Sequence, residues 1–475
     1  MRTLIYFVGI FLLQAPFVFG QKSKLEALKS IDSKNDFYTG IEQKIWGFAE
    51  VGFQETQSSA LLQQTLKDAG FQIEAGVAGM PTAFIATYGS GKPVIGILGE
   101  YDALPGVAQE AVPELKPIDG QKAGHACGHH LFGTASIAAA IAVKEWLIAN
   151  KKSGTIKFFG TPAEEGGSGK VYLVRDGFFN GVDAVFHWHP SAKNSATYSS
   201  SLSNKSGKFR FYGVASHASG SPQRGRSALD AVEAMDAMVN MLREHVEERT
   251  RIHYVITRGG EAPNVVPAFA EAYYYVRHPN PEEVKSVWDR VTKAAQGASI
   301  GTETRFEVEV TGGVYNLLAN EVLAKTVDEN LRATGGYTYT PAEKEFAQKI
   351  QQTFSVKPPL ESTGEIAKFG PGDDIGGSTD VSDISWVVPT AGLGTATWVP
   401  GTAAHSWQAV AAGGMSIGSK GMMMAAKTLA GSMIDAFSNP KLIEDSWKEL
   451  NKRRGENFKY EPLIGTRKPA LDYRK

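Results

Sequence analysis

The chain has 475 residues, of which 42% are hydrophobic and 21% are charged. At ~100–200 residues per domain this length predicts two or three domains, and the composition is that of a globular protein, which excludes disorder or collagen-like repeats as the main state. Lys and Arg number 49 against 50 Asp and Glu, for a formal net charge of -1. No basic excess is present to attract nucleic acid. The single cysteine excludes an intrachain disulfide framework.

Residues 1–20 have the pattern of a signal peptide. A positive charge precedes an apolar run from Leu4 to Leu13, and a small residue ends the stretch. A single membrane anchor is the alternative, but Gln14 and Pro16 interrupt the run, and ~20 continuous apolar residues are needed to span a bilayer. We therefore predict that this segment is removed and that the protein is exported, to the periplasm or the medium, with no later segment crossing a membrane.

The next part of the chain alternates between helical and strand patterns. Helix is predicted within 37–70 and over 134–149, and strands at 71–74, 83–88, 93–98, 155–160 and 184–188. The run at 93–98 is continuously apolar, which is typical of a strand buried on both faces. This alternation predicts an α/β domain with a mainly parallel central sheet.

The pattern changes after Pro190. Residues 191–206 are rich in Ser, Asn and Lys and predict a linker. Strands at 209–214, 252–257, 271–276 and 305–311, with helices at 227–246 and 281–298, follow in the order βαββαβ. This is the order of a ferredoxin-like α+β domain. The α/β pattern resumes at Leu317 and continues to about Ser438.

We therefore predict one α/β domain interrupted by a smaller domain. The signal peptide occupies 1–20, the α/β domain is formed by 21–200 and 314–475, and the inserted domain covers 201–313. Residues after Lys448 are basic and are predicted to form a tail on the surface.

The segment GHACGHH, residues 124–130, contains the only cysteine and three histidines. Cys127 and His129 are two residues apart in a loop that contains glycine, and a thiolate and an imidazole at this separation can bind one cation. The alternative is a buried free cysteine beside histidines that are hydrogen-bonded for structural reasons. Three histidines around one cysteine favour a metal.

The segment TPAEEG, residues 161–166, places the adjacent carboxylates of Glu164 and Glu165 between a proline and a glycine. One carboxylate can bind a metal while its neighbour acts as a general base on water. Taken alone, such a segment is more simply a solvated acidic turn.

Further imidazoles come from two later segments. In FHWHP, residues 186–190, His187 and His189 share one face of a strand, so we expect one to bind metal and the other to pack nearby. His405 follows a Gly-rich stretch and is unremarkable by itself. Together the segments supply the ligands of a hydrolase with one or two divalent transition-metal ions, for which Zn, Mn, Co and Ni are better suited than Mg or Ca.

In this order the motifs resemble those of the M20 family of metallopeptidases and amidohydrolases, and most of all its aminoacylase, carboxypeptidase and auxin-conjugate-hydrolase branch. The motifs are AEVGFQE (49–55), GHACGHH, TPAEEG, WHP (188–190) and GSTDVSDISWVVPT (377–390). The resemblance extends from residue 49 to about Gly431. It implies a metallohydrolase domain with a mainly parallel sheet, interrupted by a ferredoxin-like lid through which the protein dimerises.

The resemblance also implies roles for matching positions. The expected metal ligands are Cys127, His129, Glu165, His189 and His405. Glu164 is expected to take a proton from the attacking water and to return it to the leaving amine. One or two ions are expected, Zn or Mn first, with Co and Ni as alternatives. His130 departs from the family pattern, which usually has Asp or Asn there, and offers one more nitrogen near the metal.

In the inserted domain, GVASHASGSP (213–222) resembles the segment whose histidine, here His217, reaches across the dimer interface to polarise the scissile carbonyl. Asn264 and Arg277 match positions that contact substrate. Arg277 suits a substrate carboxylate because guanidinium and carboxylate meet in a bidentate fork. Without the resemblance, His217 and Arg277 read as surface residues.

The activity implied is hydrolysis of the amide bond of N-acyl or N-aroyl amino acids, with aminobenzoyl-glutamate as the leading candidate substrate. An exported dipeptidase or carboxypeptidase of the same fold is one alternative. A binding protein that keeps the fold without the chemistry is another, although all five ligand positions and Glu164 are present. The expected partners are a small-molecule substrate and a second copy of the chain or a different partner chain, and no nucleic acid.

Overall fold

The chain is described by a computed structural model over residues 15–196, 198–372 and 376–474, with the backbone alone for residues 15–21. Residues 1–14 of the predicted signal peptide lie outside this part of the chain. The first helix begins at Ala15.

The helices are α1 (Ala15–Ser33), α2 (Asn35–Phe48), α3 (Thr56–Asp68), α4 (His129–Ala149), α5 (Glu164–Gly167), α6 (Gly169–Arg175), α7 (Ala228–Leu242), α8 (Pro281–Gly301), α9 (Glu321–Thr334), α10 (Pro341–Gln351), α11 (Val381–Ser385), α12 (Trp407–Gly413), α13 (Ser416–Ser438) and α14 (Pro440–Arg454). The strands are β1 (Gln72–Ala75), β2 (Phe84–Ser90), β3 (Val94–Gly99), β4 (Leu104–Pro105), β5 (Ala123–Gly124), β6 (Gly154–Gly160), β7 (Ala184–Ser191), β8 (Ser203–Tyr212), β9 (Arg251–Arg258), β10 (Phe269–His278), β11 (Arg305–Val314) and β12 (Thr390–Ala396). Short 3₁₀ turns lie at Val77–Gly79, Pro222–Arg224, Arg243–His245 and Leu360–Gly364.

Six strands of the described residues form the larger sheet, in the order β1, β2, β6, β3, β7, β12. Strands β6, β3, β7 and β12 run parallel to one another, whereas β1 and β2 add an antiparallel edge, with β2 paired to β6. The mainly parallel sheet predicted from the sequence is confirmed. The carboxyl ends of parallel strands meet at one edge of a sheet, and the loops after β6 and β7 therefore emerge close together.

Helix α4 forms the centre of the core on one side of this sheet. It is buried along most of its length and packs against α13, α1, α2 and β3. It begins at His129 rather than at the predicted Thr134, so part of the GHACGHH motif forms its first turn. In length and apolar composition it is the one helix among the described residues that could cross a membrane, although the expectation was that none would, and most of it is buried inside the protein.

A second, antiparallel sheet has its four described strands in the order β11, β8, β10, β9. Helices α7 and α8 pack on one face of it, around a core that includes Phe209, Tyr274 and Trp288. The chain order βαββαβ is the ferredoxin-like arrangement that was predicted. Strand β8 begins at Ser203, so the end of the predicted linker (191–206) is strand instead, because its backbone pairs with β10 and β11.

The C-terminal segment after α14 is not a surface tail, contrary to the expectation. Leu463 belongs to the core of the smaller domain, and its neighbour Ile464 belongs to the core of the larger one. Both are only 3% exposed. Tyr315 also donates a hydrogen bond from its hydroxyl to the carbonyl of Glu461, at 2.9 Å. The segment therefore packs against both domains.

Candidate metal centre and active site

A sharp turn between β5 and α4 positions the first two expected ligands. Gly128, which separates Cys127 from His129, has φ = 77°, and a Cβ atom there would lie 2.7 Å from Pro190. Glycine is required because it alone accepts this φ and this approach at low cost. Cys127 and His129 are both buried as a result.

The folded chain brings all five expected ligands and Glu164 together. Three overlapping groups have their ligand atoms within 4.8 Å of one another: Cys127, His129 and His189; Cys127, Glu165 and His405; and His129, Glu164 and Glu165. The sulfur of Cys127 lies 3.4 Å from Nε2 of His189, and Nε2 of His405 lies 3.1 Å from Oε1 of Glu165. Segments separated by more than 200 residues therefore meet at one point.

Two unpartnered atoms show that this cluster fits a cation. Nδ1 of His129 lies 2.8 Å from Oδ1 of Asp102. Because a carboxylate only accepts, Nδ1 carries a proton, and a neutral His129 ring would then present the lone pair of Nε2 to a cation. This Nε2 is buried without a hydrogen-bond partner among the described residues, as is Oε1 of Glu165. Nε2 of His129 also lies 3.0 Å from Oε2 of Glu100, but the two atoms are not aligned as a hydrogen bond. Buried polar atoms are normally paired, so two unpaired lone-pair atoms facing a thiol and further imidazoles fit a transition-metal ion.

The two adjacent carboxyl groups have opposite electrostatic surroundings. Burial raises the pKa of Glu164 well above its ordinary value, and the negative charges of Glu100 and Glu165 raise it further. Burial would also raise the pKa of Glu165, but the nearby imidazole of His405 and the charge of His129 hold that pKa below its ordinary value. Because the pKa values of these neighbouring carboxyl groups are shifted in opposite directions, the two groups suit different tasks. Glu164 suits carrying a proton, and Glu165 suits binding a cation.

A network of buried charges that the sequence did not reveal supports these ligands. Asp102 contacts His129 and also accepts a hydrogen bond, 2.9 Å long, from the backbone N–H of Glu165. Nζ of Lys170 lies 2.7 Å from Glu100 and 2.6 Å from Asp380, and all three side chains are almost fully buried. The contacts of this network hold the ring of His129 and the backbone of Glu165 in place.

The available signal for this network was weak. The segment GEYDALPG (99–106) places two carboxylates directly after the strand predicted at 93–98, and the motif at 377–390 belongs to the family resemblance, but neither indicates a role for a particular carboxylate.

The other histidines of the motifs lie outside the ligand groups formed by the described residues. The ring of His187 packs so close to Gly392 that a Cβ there would lie 2.5 Å from it, and burial lowers the pKa of His187 to about 4. His189 lies in the ligand cluster and His187 packs beside it, so the two histidines of the pair differ in their surroundings. His130 faces the carbonyl of Gly413, with Nε2 at 3.0 Å. It therefore does not add a nitrogen to the metal cluster.

The expected substrate residues lie in the smaller domain. His217 and Asn264 are exposed and adjacent. The backbone of His217 forms an isolated antiparallel β-bridge with Val265, and the N–H of Ala218 donates to the carbonyl of Asn264 at 3.0 Å. Nδ1 of His217 accepts a hydrogen bond from the N–H of Gly220, also at 3.0 Å. No hydrogen bond or ion pair among the described residues joins them to the metal cluster.

Arg277 lies apart from these two residues, in a cavity of about 540 Å³. The cavity is lined by Leu202, Arg251, His253, Tyr275, Arg277 and Gly376. The Nε atom of Arg277 is buried without a hydrogen-bond partner among the described residues. Burial lowers the pKa of His253, and the positive charges of Arg277 and Arg251 lower it further. A cavity with two guanidinium groups suits an anionic ligand.

Thiol, imidazole and carboxylate ligands at the carboxyl edge of a mainly parallel sheet, beside a second carboxyl group with a raised pKa, define a metal-dependent hydrolase. Residues 96–390 match the family model described as peptidase family M20/M25/M40. This is more than half of the chain, and the protein belongs to that family, whose members hydrolyse amide bonds.

Individual relatives also support membership of this family. The chain is 40% identical to one of the subunits of the p-aminobenzoyl-glutamate hydrolase of Escherichia coli (strain K12), over 88% of this chain and 93% of that protein. It is 29% identical to the Xaa-Arg dipeptidase of Mus musculus, over 90% of this chain and 92% of that one. Its fold matches that of a dinuclear metal-binding peptidase of the M20 family from Bacillus subtilis, with a TM-score of 0.56 and 18% identity over 86% of this chain and 99% of the other. The family and the fold class expected from the sequence are confirmed.

Proposed function

We propose that this protein is a metal-dependent amidohydrolase that cleaves the amide bond of N-acyl or N-aroyl amino acids, with aminobenzoyl-glutamate as the leading substrate. The observation that carries the proposal is the cluster of ligand atoms from distant segments, with the unpartnered Nε2 of His129 and Oε1 of Glu165 at its centre. The 40% identity to a hydrolase subunit named for this substrate supports it.

The ligand cluster would hold one or two ions of Zn or Mn, with Co and Ni as alternatives, through Cys127, His129, Glu165, His189 and His405. A divalent ion bound there would polarise the scissile carbonyl and acidify the attacking water. Glu164 accepts the proton from that water and donates it to the leaving amine. Asp102 keeps His129 and Glu165 in the orientation that ligation needs.

The cavity around Arg277 supports an acidic amino acid as the part released from the amide. Arg277 and Arg251 lie opposite each other on β10 and β9, with His253 beside them. Glutamate brings two carboxylates to such a cavity, whereas the side chain of a C-terminal arginine would meet like charge. This favours aminobenzoyl-glutamate over the dipeptidase alternative.

The quaternary structure that we propose is a homodimer formed through the smaller domain, which acts as a lid. Strand β9 is an edge strand with Val255 57% and Ile256 44% exposed, and exposed strand edges pair readily. In such a dimer His217 and Asn264 would reach the partner's substrate, and His217 would stabilise the oxyanion. A different partner chain is the alternative, since the relative is named as a subunit. We further propose export through residues 1–20.

The decisive experiment is an amide-hydrolysis assay on the purified protein with each metal supplied singly. The panel holds aminobenzoyl-glutamate, N-acetyl amino acids and dipeptides with acidic or basic C-terminal residues. We expect chelator-sensitive release of glutamate to be fastest. Preferred release of arginine would support the dipeptidase instead, and a folded, metal-loaded chain without turnover on any substrate would contradict the amidohydrolase.

A further inference from the structure

The C-terminal segment (residues 456–474) runs from the lid to the loop that carries the paired carboxylates. Along the larger domain, Arg175 donates a hydrogen bond from Nη1 to the carbonyl of Arg467 at 2.6 Å. Gln54 donates from Nε2 to the carbonyl of Leu471 at 2.8 Å. These bonds guide the segment toward the metal cluster.

The last two described side chains end on a single backbone atom. The hydroxyl of Tyr473 donates to the carbonyl oxygen of Glu165 at 3.0 Å, and Nη2 of Arg474 donates to the same oxygen at 2.8 Å. A carbonyl oxygen has two lone pairs, so these two donors satisfy it completely. The N–H of Glu165 is held by Asp102. Side chains from distant segments therefore hold both backbone polar groups of this residue.

The loop at 163–168 needs such support because its backbone is strained. Ala163 and Ser168 have φ values of 56° and 57°, in the left-handed region that residues with a Cβ seldom adopt. Glu165 has ψ = 66°, which departs from helical geometry, so its carbonyl needs a partner from outside a helix. Conformations of this kind persist only where the surroundings impose them.

The segment after α2 provides the site where Tyr473 packs. The rings of Phe53 and Tyr473 meet edge to face with centroids 5.6 Å apart. A Cβ on Gly52 would lie 2.2 Å from the tyrosine hydroxyl, so a glycine leaves the space for that hydroxyl. Glu55 accepts a hydrogen bond from the N–H of Ala163 at 2.8 Å. The motif at 49–55, for which the sequence indicated no role, thus supports the loop from one side while the C-terminal segment holds it from the other.

We propose that Tyr473 and Arg474 are positioning residues for the metal centre. By holding the carbonyl of Glu165 they set the direction of its carboxylate and of the preceding Glu164. The inference rests on the proposed role of Glu165 as a metal ligand. Because the same segment packs in the cores of both domains, it also links the lid mechanically to the loop.

Cobalt binding to the full chain tests this proposal. The variants are Tyr473→Phe, Arg474→Gln and the two combined, and the readouts are the Co²⁺ dissociation constant and the thiolate-to-cobalt charge-transfer band of Cys127. For the double variant we expect a dissociation constant ~10–100-fold higher and a shifted band, as is typical when a group that orients a ligand is lost. Activity should show a lower kcat with KM unchanged. Tyr473→Phe keeps the ring packing and should show a smaller rise, and Arg474→Lys, which keeps a donor, should recover part of the affinity lost in Arg474→Gln.

Two further variants separate the possible failures. Lys459→Gln changes an exposed residue of the same segment and should bind Co²⁺ as the unmodified chain does. Glu165→Gln should bind it far more weakly. If Glu165→Gln is impaired while the folded double variant keeps the unmodified dissociation constant and band, the positioning role is wrong and the ligand assignment stands. If Glu165→Gln itself binds normally, both are wrong.

Discussion

The metal cluster and the proposed substrate residues of the lid differ in how much of their surroundings one chain supplies. Cys127 and His129 are buried, and the carboxylates of Asp102 and Glu100 both contact the ring of His129. His217, in contrast, is exposed and contacts only its own loop and the neighbouring strand segment. A site for a small, highly charged ion requires rigid and complete surroundings, whereas residues that contact substrate can be completed by a second subunit. The difference supports the proposal that one chain builds the metal centre and that a dimer completes the substrate site.

The largest effect is expected for Glu164, the proposed proton carrier beside the metal cluster. Replacing Glu164 by Gln removes the group that accepts and returns the proton while keeping its size, so kcat should fall by ~10²–10⁴-fold. Metal content should stay unchanged, because the ligands remain. Steady-state kinetics and metal analysis check both parts, with Glu74→Gln, an exposed carboxylate on β1, as the control. Unchanged turnover would contradict the mechanism.

Complementation tests whether the two regions belong to different chains. Glu164→Gln and His217→Ala should each be nearly inactive alone. Mixed dimers would contain one intact site, so random exchange should restore about a quarter of the normal activity. The measurement is activity after subunit exchange, with mixed dimers verified by two affinity tags. Mixed dimers without recovery would place both residues in the same chain's site.

Asp102→Asn sharpens the claim that the metal centre is complete within one chain. Asn cannot accept from both His129 and the backbone of Glu165 as the carboxylate does, so the ligands lose their orientation and metal affinity should fall ~10–100-fold. Isothermal titration with Zn²⁺ measures this change. Asp119→Asn, in an exposed loop, is the matched control. Equal affinities would show that the ligands are oriented without Asp102.

Arg277→Gln tests whether the lid binds a carboxylate of the substrate. Losing a charge-assisted hydrogen bond of ~1.5–3 kcal/mol should raise KM for aminobenzoyl-glutamate about 10–100-fold, with a smaller effect on kcat. A substrate whose carboxylates are amidated should be insensitive to the change. Arg305→Gln, an exposed arginine on β11, is the control. Equal effects on the charged and the amidated substrate would exclude a carboxylate contact.

The smallest effect concerns the oxidation of Cys127. A metal ion bound by the sulfur of Cys127 would occupy its lone pair and shield it from peroxide. Peroxide should therefore inactivate the metal-free protein faster than the metal-loaded protein, with activity assayed after metal is restored. Equal rates would count against Cys127 as a ligand.

Local patterns predicted much of the fold because helices and strands depend on nearby residues. Strand β3 was predicted at 93–98 and found at Val94–Gly99, and α8 was predicted at 281–298 and found at Pro281–Gly301. The errors fall where a distant partner decides the structure. Strand β8 starts inside the predicted linker because β10 and β11 pair with it.

The site also combines features that nearby residues predict with features that distant contacts decide. The sequence by itself determined the chemical character of the metal centre, because Cys127, His129 and the two glutamates are residue types that suit a divalent transition metal and a proton transfer. Only the tertiary structure decided what surrounds them. Lys170 pairs with Asp380, 210 residues away, and the C-terminal segment reaches the carbonyl of Glu165. Such contacts depend on how sheets and helices pack across the whole chain, and no local pattern encodes that packing.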